Sequence, residues 1–419
     1  QTTRLSRASG VQRARKRHRH PLNERSHVTN PEILGQLSGL QTMMADLLRS
    51  LPALEANQRF HPRLAPLAWY LGRSVYRELY WLREVLAGDA DLAERVRPIF
   101  ATQEADAPAE RLPPRDHLLA WAGEVQGEHL RRLATPGALP DSPWLQGDRL
   151  PWFLLQETAR DYEAMLWVLL ARRLSGSEEA PGGEPLRARP PSTLLVAMTQ
   201  GHYRIGSRDE SFAYDNEFPP QAAELSSFRI AQLPVTNAEF LGFMAADGYA
   251  RPEFWDAEGQ AWLTSSQAQA PWYWRRDDQG HWFGLGLNGA RPLSAEEPVA
   301  GLNRHEARAY AAWVATLGGD LAGAVLQHEY QWEIAARAGH LQGTGRVWEW
   351  CANPFHPYPD FSPSPEPSAS QLAFAAQHGV LRGASLYTQR CLRRASFRHA
   401  ADPGDRYRVS GLRLVFPPA

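Results

Sequence analysis

The sequence predicts an α+β fold in two parts. Three observations carry that reading: helical periodicity confined to the first part, a break rich in Gly, Pro, Ser and Glu, and a change of texture beyond it. Leu/Ala/Arg-rich segments at about 32–52, 64–86, 115–133 and 151–174 repeat apolar residues at helical spacing, with prolines held to the connections. Each segment has one stripe to bury, and four such segments predict an antiparallel four-helix bundle. Residues 175–185, Ser-Gly-Ser-Glu-Glu-Ala-Pro-Gly-Gly-Glu-Pro, suit neither helix nor strand and mark the boundary. Beyond it, short apolar runs alternate with Gly, Pro, Asn and Asp, and tryptophan becomes frequent, from Trp255, Trp262, Trp272 and Trp274 to Trp348 and Trp350. That texture predicts a mixed domain whose long, irregular loops are packed by rings. The expected organisation is a basic disordered tail over 1–30, the bundle over 31–175, a linker over 176–190 and the mixed domain over 191–419.

Composition narrows the function classes. Forty-five basic against 46 acidic side chains in 419 residues leave a formal charge of -1, so the chain as a whole has no field that gathers nucleic acid or anionic lipid. The one basic run, Arg13-Ala14-Arg15-Lys16-Arg17-His18-Arg19-His20, lacks apolar periodicity and reads as a disordered tail in preference to a nucleic-acid arm. Cys351 and Cys391 build no disulfide framework and have no CxxC spacing for zinc, which suits a reducing cytoplasm. No run approaches about eighteen uninterrupted apolar residues, and no apolar export segment opens the chain. The expected localisation is cytoplasmic, with neither membrane nor nucleic acid as a partner.

Ordered blocks mark the second part. They are Ile205-Gly206-Ser207 with Tyr214-Asp215-Asn216-Glu217; Pro234-Val235-Thr236-Asn237-Ala238-Glu239-Phe240; Glu306-Ala307-Arg308 running to Trp313; Gln331-Trp332-Glu333; Val347-Trp348-Glu349-Trp350; Leu381-Arg382-Gly383-Ala384-Ser385; and Ser410-Gly411-Leu412-Arg413. In an extended Trp-Glu-Trp the two indoles share one face, and the glutamate between them can take loop donors or a neighbouring arginine. Arg382-Gly383 and Gly411-Leu412-Arg413 pair a close-approach glycine with a guanidinium able to clamp carbonyls or carboxylates. Together these blocks resemble the formylglycine-generating-enzyme-like, C-type-lectin-related domain of the sulfatase-modifying-factor family. The copper-dependent members of that family carry two cysteines shortly after the Arg-Gly-Gly-Ser strand; this sequence has Thr388 and Arg393 there. Cys391 matches neither place, so the cysteine-oxidase reading is rejected, although a thiol between arginines is drawn toward a lower pKa.

The first part extends the resemblance. Leu64-Ala65-Pro66-Leu67-Ala68-Trp69-Tyr70-Leu71-Gly72, then Tyr76 to Arg83, Glu163-Ala164-Met165-Leu166, Phe254-Trp255, Trp272-Tyr273-Trp274 and residues 354–361 are similar to the EgtB-type sulfoxide synthases. In that family, which includes ergothioneine and selenoneine synthases, a DinB-like four-helix bundle precedes the formylglycine-type domain; the resemblance covers about residues 31–419. It implies oxidoreductase chemistry, an oxygen-dependent C–S or C–Se bond formed on a histidine betaine at a non-haem iron(II) held by three histidines. Two of those histidines stand at i and i+4 on one helix, where side chains share a face. At the matching positions this sequence has Arg73, Glu157 and Asp161. Arginine offers only donors and stays protonated, so it cannot ligate a metal. The expectation is therefore no metal and no cofactor, with an Arg73/Glu157/Asp161 ion-pair cluster in its place; iron(II) enters only if the family activity survives through other ligands. A solvated polar face is the alternative for Glu157 and Asp161, since Arg160 and Glu163 lie on the same helix. His117 with His129, and His328 with His340, lack metal-ligand spacing.

The resemblance also places a pocket between the two domains. Its substrate-contact candidates here are Arg160, Phe355, Tyr358, Arg394, Arg398 and His399; Tyr358 is the candidate catalytic phenol, Phe355 falls where relatives carry a tyrosine, and His399 where they carry asparagine. Aromatic faces of this kind suit a quaternary ammonium or an imidazole, so the expected partner is a small molecule such as a histidine betaine. Two functions stay open: an EgtB-type enzyme using a metal held in another way, and a non-catalytic ligand-binding or scaffold pseudoenzyme.

Overall fold

The computed structural model describes residues 28–209, 212–363 and 369–418; the basic run at 13–20 lies outside the described residues. The first part is built on α1 (Pro31–Ser50), α2 (Leu67–Glu78), α3 (Asp91–Phe100), α4 (Arg115–Ala134) and α5 (Arg149–Leu174), with α2 running on through a π-helical segment, Leu79–Val85. Asn30 accepts the Glu32 amide and Pro31 opens α1, the usual chemistry of a helix start. α1 and α2 each pack on both α4 and α5, which completes the four-helix bundle. The short α3 is additional to the sequence expectation. It is held where Gly72 of α2 meets the Phe100 ring, since a Cβ on Gly72 would lie 2.1 Å from it. α5 is buried on most of its circumference because one side faces the bundle and the other faces the second domain.

Residues 175–194 run without regular structure before the second domain. That domain holds β1 (Leu195–Met198), β2 (Gly201–Ile205), β3 (Gln221–Leu225), β4 (Phe228–Ala231), β5 (Trp274–Arg276), β6 (Trp282–Gly286), β7 (Gly289–Pro292), β8 (Val325–Leu326), β9 (Trp348–Pro354), β10 (Gly379–Arg382), β11 (His399–Ala401), β12 (Ser410–Leu412) and β13 (Leu414–Phe416). Its helices are α6 (Asn237–Ala245), α7 (Ala257–Ser266), α8 (Arg304–Ala315), α9 (Glu329–Arg337) and α10 (Ala369–Ala375). Capping boxes fix the starts of α6 (Thr236, Glu239) and α8 (Asn303, Glu306). The strands form small sheets in the orders β1-β4-β13-β8, β11-β10-β9-β12 and β5-β6-β7, with the hairpin β2-β3. The mixed, loop-rich α+β architecture follows from these short sheets.

The ordered sequence blocks become the scaffold of this domain. Glu349, paired across the sheet with Arg382 and Gly411, takes both Arg413 Nε and Nη2 at 2.8 Å and the Trp332 indole N–H at 3.0 Å. Arg382, fully buried, bridges Glu329 at 3.2 Å and Glu333 at 2.7 Å. These clamps fix the strand ends that face α5.

Candidate functional site

α5 carries the site. Residues 157 and 161 stand one turn apart and face α2, and 160, 163 and 167 point at the second domain. Arg77 of α2 lies between the two acids: its Nη2 is 3.2 Å from Glu157 Oε2 and its Nη1 2.8 Å from Asp161 Oδ2. Arg160 reaches Glu157 Oε1 at 3.1 Å, and the Tyr214 hydroxyl donates to the same oxygen at 2.8 Å.

This corrects the expected Arg73/Glu157/Asp161 cluster. Arg73 instead approaches Glu104 at 3.8 Å and lies 4.9 Å over the Trp69 ring. The reason is helical geometry: a long side chain leans toward the N-terminus and covers the turn before its own Cα, so Arg77 occupies the level that position 73 suggests. The solvated-face alternative fails as well, because the Glu157 and Asp161 side chains are only 12% and 6% exposed. Burial alone would raise the Glu157 carboxyl, but the charges of Arg77, Arg160 and Arg73 outweigh it and bring the group down to about 2.

The residues present do not fit the iron that the resemblance implies. Two of the three ligand positions are carboxylates whose oxygens already receive Arg77, Arg160 and Tyr214, and the third is an arginine that stays protonated. A guanidinium between the carboxylates supplies the positive charge that a cation would bring, and it repels one. Among the described residues no group of three His, Cys, Asp or Glu side chains is placed to hold a metal.

The next turns of α5 dock the second domain. Glu163, 2% exposed, accepts at one oxygen from Ser385 Oγ (2.6 Å), Thr388 Oγ1 (2.9 Å) and Trp348 Nε1 (2.9 Å). Burial pushes its carboxyl up, against the three donors. Thr388, at the first position where related enzymes carry a cysteine, thus serves the domain contact. Burial likewise raises Cys391, to about 11, overturning the lower value expected from flanking arginines; Arg394 Nη2 points to Glu217 Oε1 at 2.5 Å.

The six substrate-contact candidates separate into two places. Arg160, Arg394 and His399 stand at the domain interface: Arg394 also donates to Gln156 of α5 at 2.7 Å, and His399 stacks on Trp348 with ring centroids 4.8 Å apart. Phe355, Tyr358 and Arg398 group inside the second domain, where Arg398 chelates Glu329 with two 2.8 Å bonds and lies 4.6 Å over Phe355 and 4.2 Å over Tyr358. The Tyr358 hydroxyl is buried, and burial raises its pKa. A cavity of about 230 Å³ opens beside the interface, lined by Trp332, Trp348, Gly383, Arg393, Arg394 and Phe397. Arg77, Tyr214, Trp167 and Arg408 were not among the sequence candidates. Arg77 alone had a signal, four residues after Arg73 and so on the same helix face.

Residues 183–344 match the Sulfatase-modifying factor enzyme 1-like domain family. The chain is 29% identical over 422 residues to a hercynine oxygenase of Mycolicibacterium smegmatis, a match covering 86% of this chain and 93% of that protein. It is 27% identical to ergothioneine biosynthesis protein 1 of Schizosaccharomyces pombe over 73% of this chain and 44% of that one. A formylglycine-generating enzyme of Thermomonospora curvata is 30% identical over 35% of this chain and 49% of that enzyme.

Proposed function

Starting from this chain as a homologue in the EgtB-type family, related to the hercynine oxygenases along most of its length, we propose that it binds a small molecule between bundle and second domain without the family's three-histidine iron chemistry. The observation that carries this reading is Arg77 seated between Glu157 and Asp161. The side chains around it leave a way in, because Arg73, Glu104 and Arg160 remain 29%, 33% and 34% exposed at the same interface. Rings of Tyr214, Trp348 and Phe397 offer flat apolar faces, and His399 and Arg160 offer polar ends. A histidine betaine has the shape for such a site, with a quaternary ammonium for the rings and a carboxylate for the arginines.

In this reading each residue has a binding or positioning role. Arg77, Glu157 and Asp161 keep α2 and α5 together where a metal would otherwise do so; Glu163 fixes α5 against Trp348, Ser385 and Thr388; Arg160 and His399 meet the ligand. A second reading, an oxidoreductase of the same family using iron held elsewhere, draws support from the near full-length match to a hercynine oxygenase. The two separate in one experiment. Hercynine is titrated calorimetrically into the purified full chain, and oxygen uptake is followed with added iron(II) and a thiol. The proposal expects saturable heat and no uptake above the protein-free control. Uptake that follows enzyme concentration overturns it.

A further inference from the structure

The cavity of about 230 Å³ beside the interface is lined by second-domain residues alone, with no side chain of the bundle in its wall. Rings make up one side: Trp332, Trp348 and Phe397 are 3%, 1% and 4% exposed. Their polar edges are committed elsewhere, because the Trp332 indole N–H goes to Glu349 at 3.0 Å and that of Trp348 to Glu163 at 2.9 Å. What this side offers a ligand is apolar ring surface. Trp348 also separates the cavity from the interdomain site, since His399 stacks on that indole at 4.8 Å and does not line the cavity.

Arg393 brings charge to the mouth. The residue is exposed, yet loop carbonyls hold its guanidinium in place: Nε donates to Thr388 O at 2.8 Å, and Nη2 to Ser385 O at 3.1 Å and Leu386 O at 3.4 Å. Nη1 is left over. It stands at the cavity wall beside Gly345, where a Cβ would lie 3.1 Å from it, and among the described residues no carboxylate forms an ion pair with Arg393. The neighbouring Arg394 differs, because Glu217 takes its charge at 2.5 Å and Ser396 Oγ donates to the same carboxylate at 2.7 Å. The wall thus carries one positive charge that the chain does not offset, on a guanidinium already ordered and so losing little freedom when an anion arrives. The Thr344 hydroxyl, next to Gly345 in the lining, adds a donor. A dry cavity of roughly 150 Å³ holds a benzene ring, so this one has room for a single ring and a carboxylate. We infer that it is a second binding site, for an arylcarboxylate whose ring lies against Trp332, Trp348 and Phe397 and whose carboxylate meets Arg393 Nη1. A small inorganic anion lacks the surface that the rings bury, and a neutral ring leaves the guanidinium to water.

The inference does not depend on the interdomain binding reading, and one set of titrations keeps the two apart. Binding of para-fluorobenzoate and of para-fluorobenzamide to the full chain is followed by ¹⁹F NMR in matched sodium chloride. The expected result is saturable binding of the carboxylate, binding of the amide at least about tenfold weaker, and a carboxylate affinity lowered about tenfold in Arg393→Gln, which keeps hydrogen bonding and removes the charge. Arg160→Gln, at the interdomain site, is expected to leave that affinity unchanged. Should Arg393→Gln fail to fold, Ala336→Leu, which fills the cavity from its lining and keeps Arg393, is expected to abolish binding. No saturable binding, or equal binding of the two probes, overturns the inference. So does an affinity that falls in Arg160→Gln and not in Arg393→Gln, or one unchanged in folded Ala336→Leu.

Discussion

Replacing Arg77 with methionine keeps much of the aliphatic stem and removes the charge between Glu157 and Asp161. The three side chains are 11%, 12% and 6% exposed, so water screens them little and the full penalty of stranded carboxylates is felt. Breaking a buried pair from one side costs about 3–5 kcal/mol; Arg160 and Tyr214 still hold Glu157, which puts the expected loss near the lower figure, about 3 kcal/mol. Arg73→Met is the control. It removes a partly exposed arginine with a single 3.8 Å ion contact, and is expected to cost less than about 1 kcal/mol. Urea unfolding of both variants at pH 7 gives the comparison. pH then separates charge from packing. The Glu157 carboxyl is held at about 2 in the folded chain against 4.5 when free, so its ion pairs contribute fully above about pH 4.5 and are lost as pH falls toward 2. In Arg77→Met that carboxyl has lost its main counter-charge and takes up a proton at higher pH. The deficit relative to the natural chain is therefore expected to shrink between pH 7 and 4. Equal effects of Arg77→Met and Arg73→Met, or a deficit that stays constant with pH, would refute the cluster described above.

Three further outcomes follow from the same geometry. Glu163→Ala strands the Ser385, Thr388 and Trp348 donors and is expected to lower stability by about 2–3 kcal/mol in urea unfolding, whereas Glu163→Gln keeps an acceptor and costs less than about 1 kcal/mol. Because burial raises the Glu163 carboxyl, its protonated form favours folding below the free value and that advantage is lost as pH rises through the folded pKa; the Gln variant should therefore flatten the pH dependence of the melting temperature on the alkaline side of 4.5. Ala384 stands at φ 73° in the Arg-Gly-Ala-Ser turn, a left-handed conformation that disfavours a side chain, and Ala384→Gly is expected to stabilise by about 1 kcal/mol in the same assay.

The fold was legible because each level of the sequence agreed with the next. The 151–174 segment, periodic in Leu, Ala and Trp, appears as α5 over Arg149–Leu174, and the Trp348-Glu349-Trp350 block is a strand whose glutamate meets Arg413. Helix α3 escaped notice because Pro98 and a run of charges hide its short apolar face. The site was legible as a set of positions and misread in its pairing. Alignment by residue number put Arg73 opposite the acids, but a guanidinium reaches a turn back along its helix, so Arg77 takes that role. The groups that depend on long-range packing left no local signal: Tyr214 meets Glu157 across 57 positions, and Arg408 meets His399 only because β11 and the loop before β12 come together. Likewise Phe355, Tyr358 and Arg398 are near His399 in sequence or in loop alignment, yet Arg398 is turned inward by its bonds to Glu329 and lies over the Phe355 and Tyr358 rings.

In the proposed reading, the Arg77 guanidinium takes the place of a cation between α2 and α5. Iron content of the full chain, purified after growth with added iron and again after anaerobic incubation with iron(II), tests it most directly, measured alongside Glu157→Gln and Asp161→Asn. Iron far below one equivalent is expected in all three proteins. Near-stoichiometric iron in the natural chain, lost on changing Glu157 or Asp161, would contradict it.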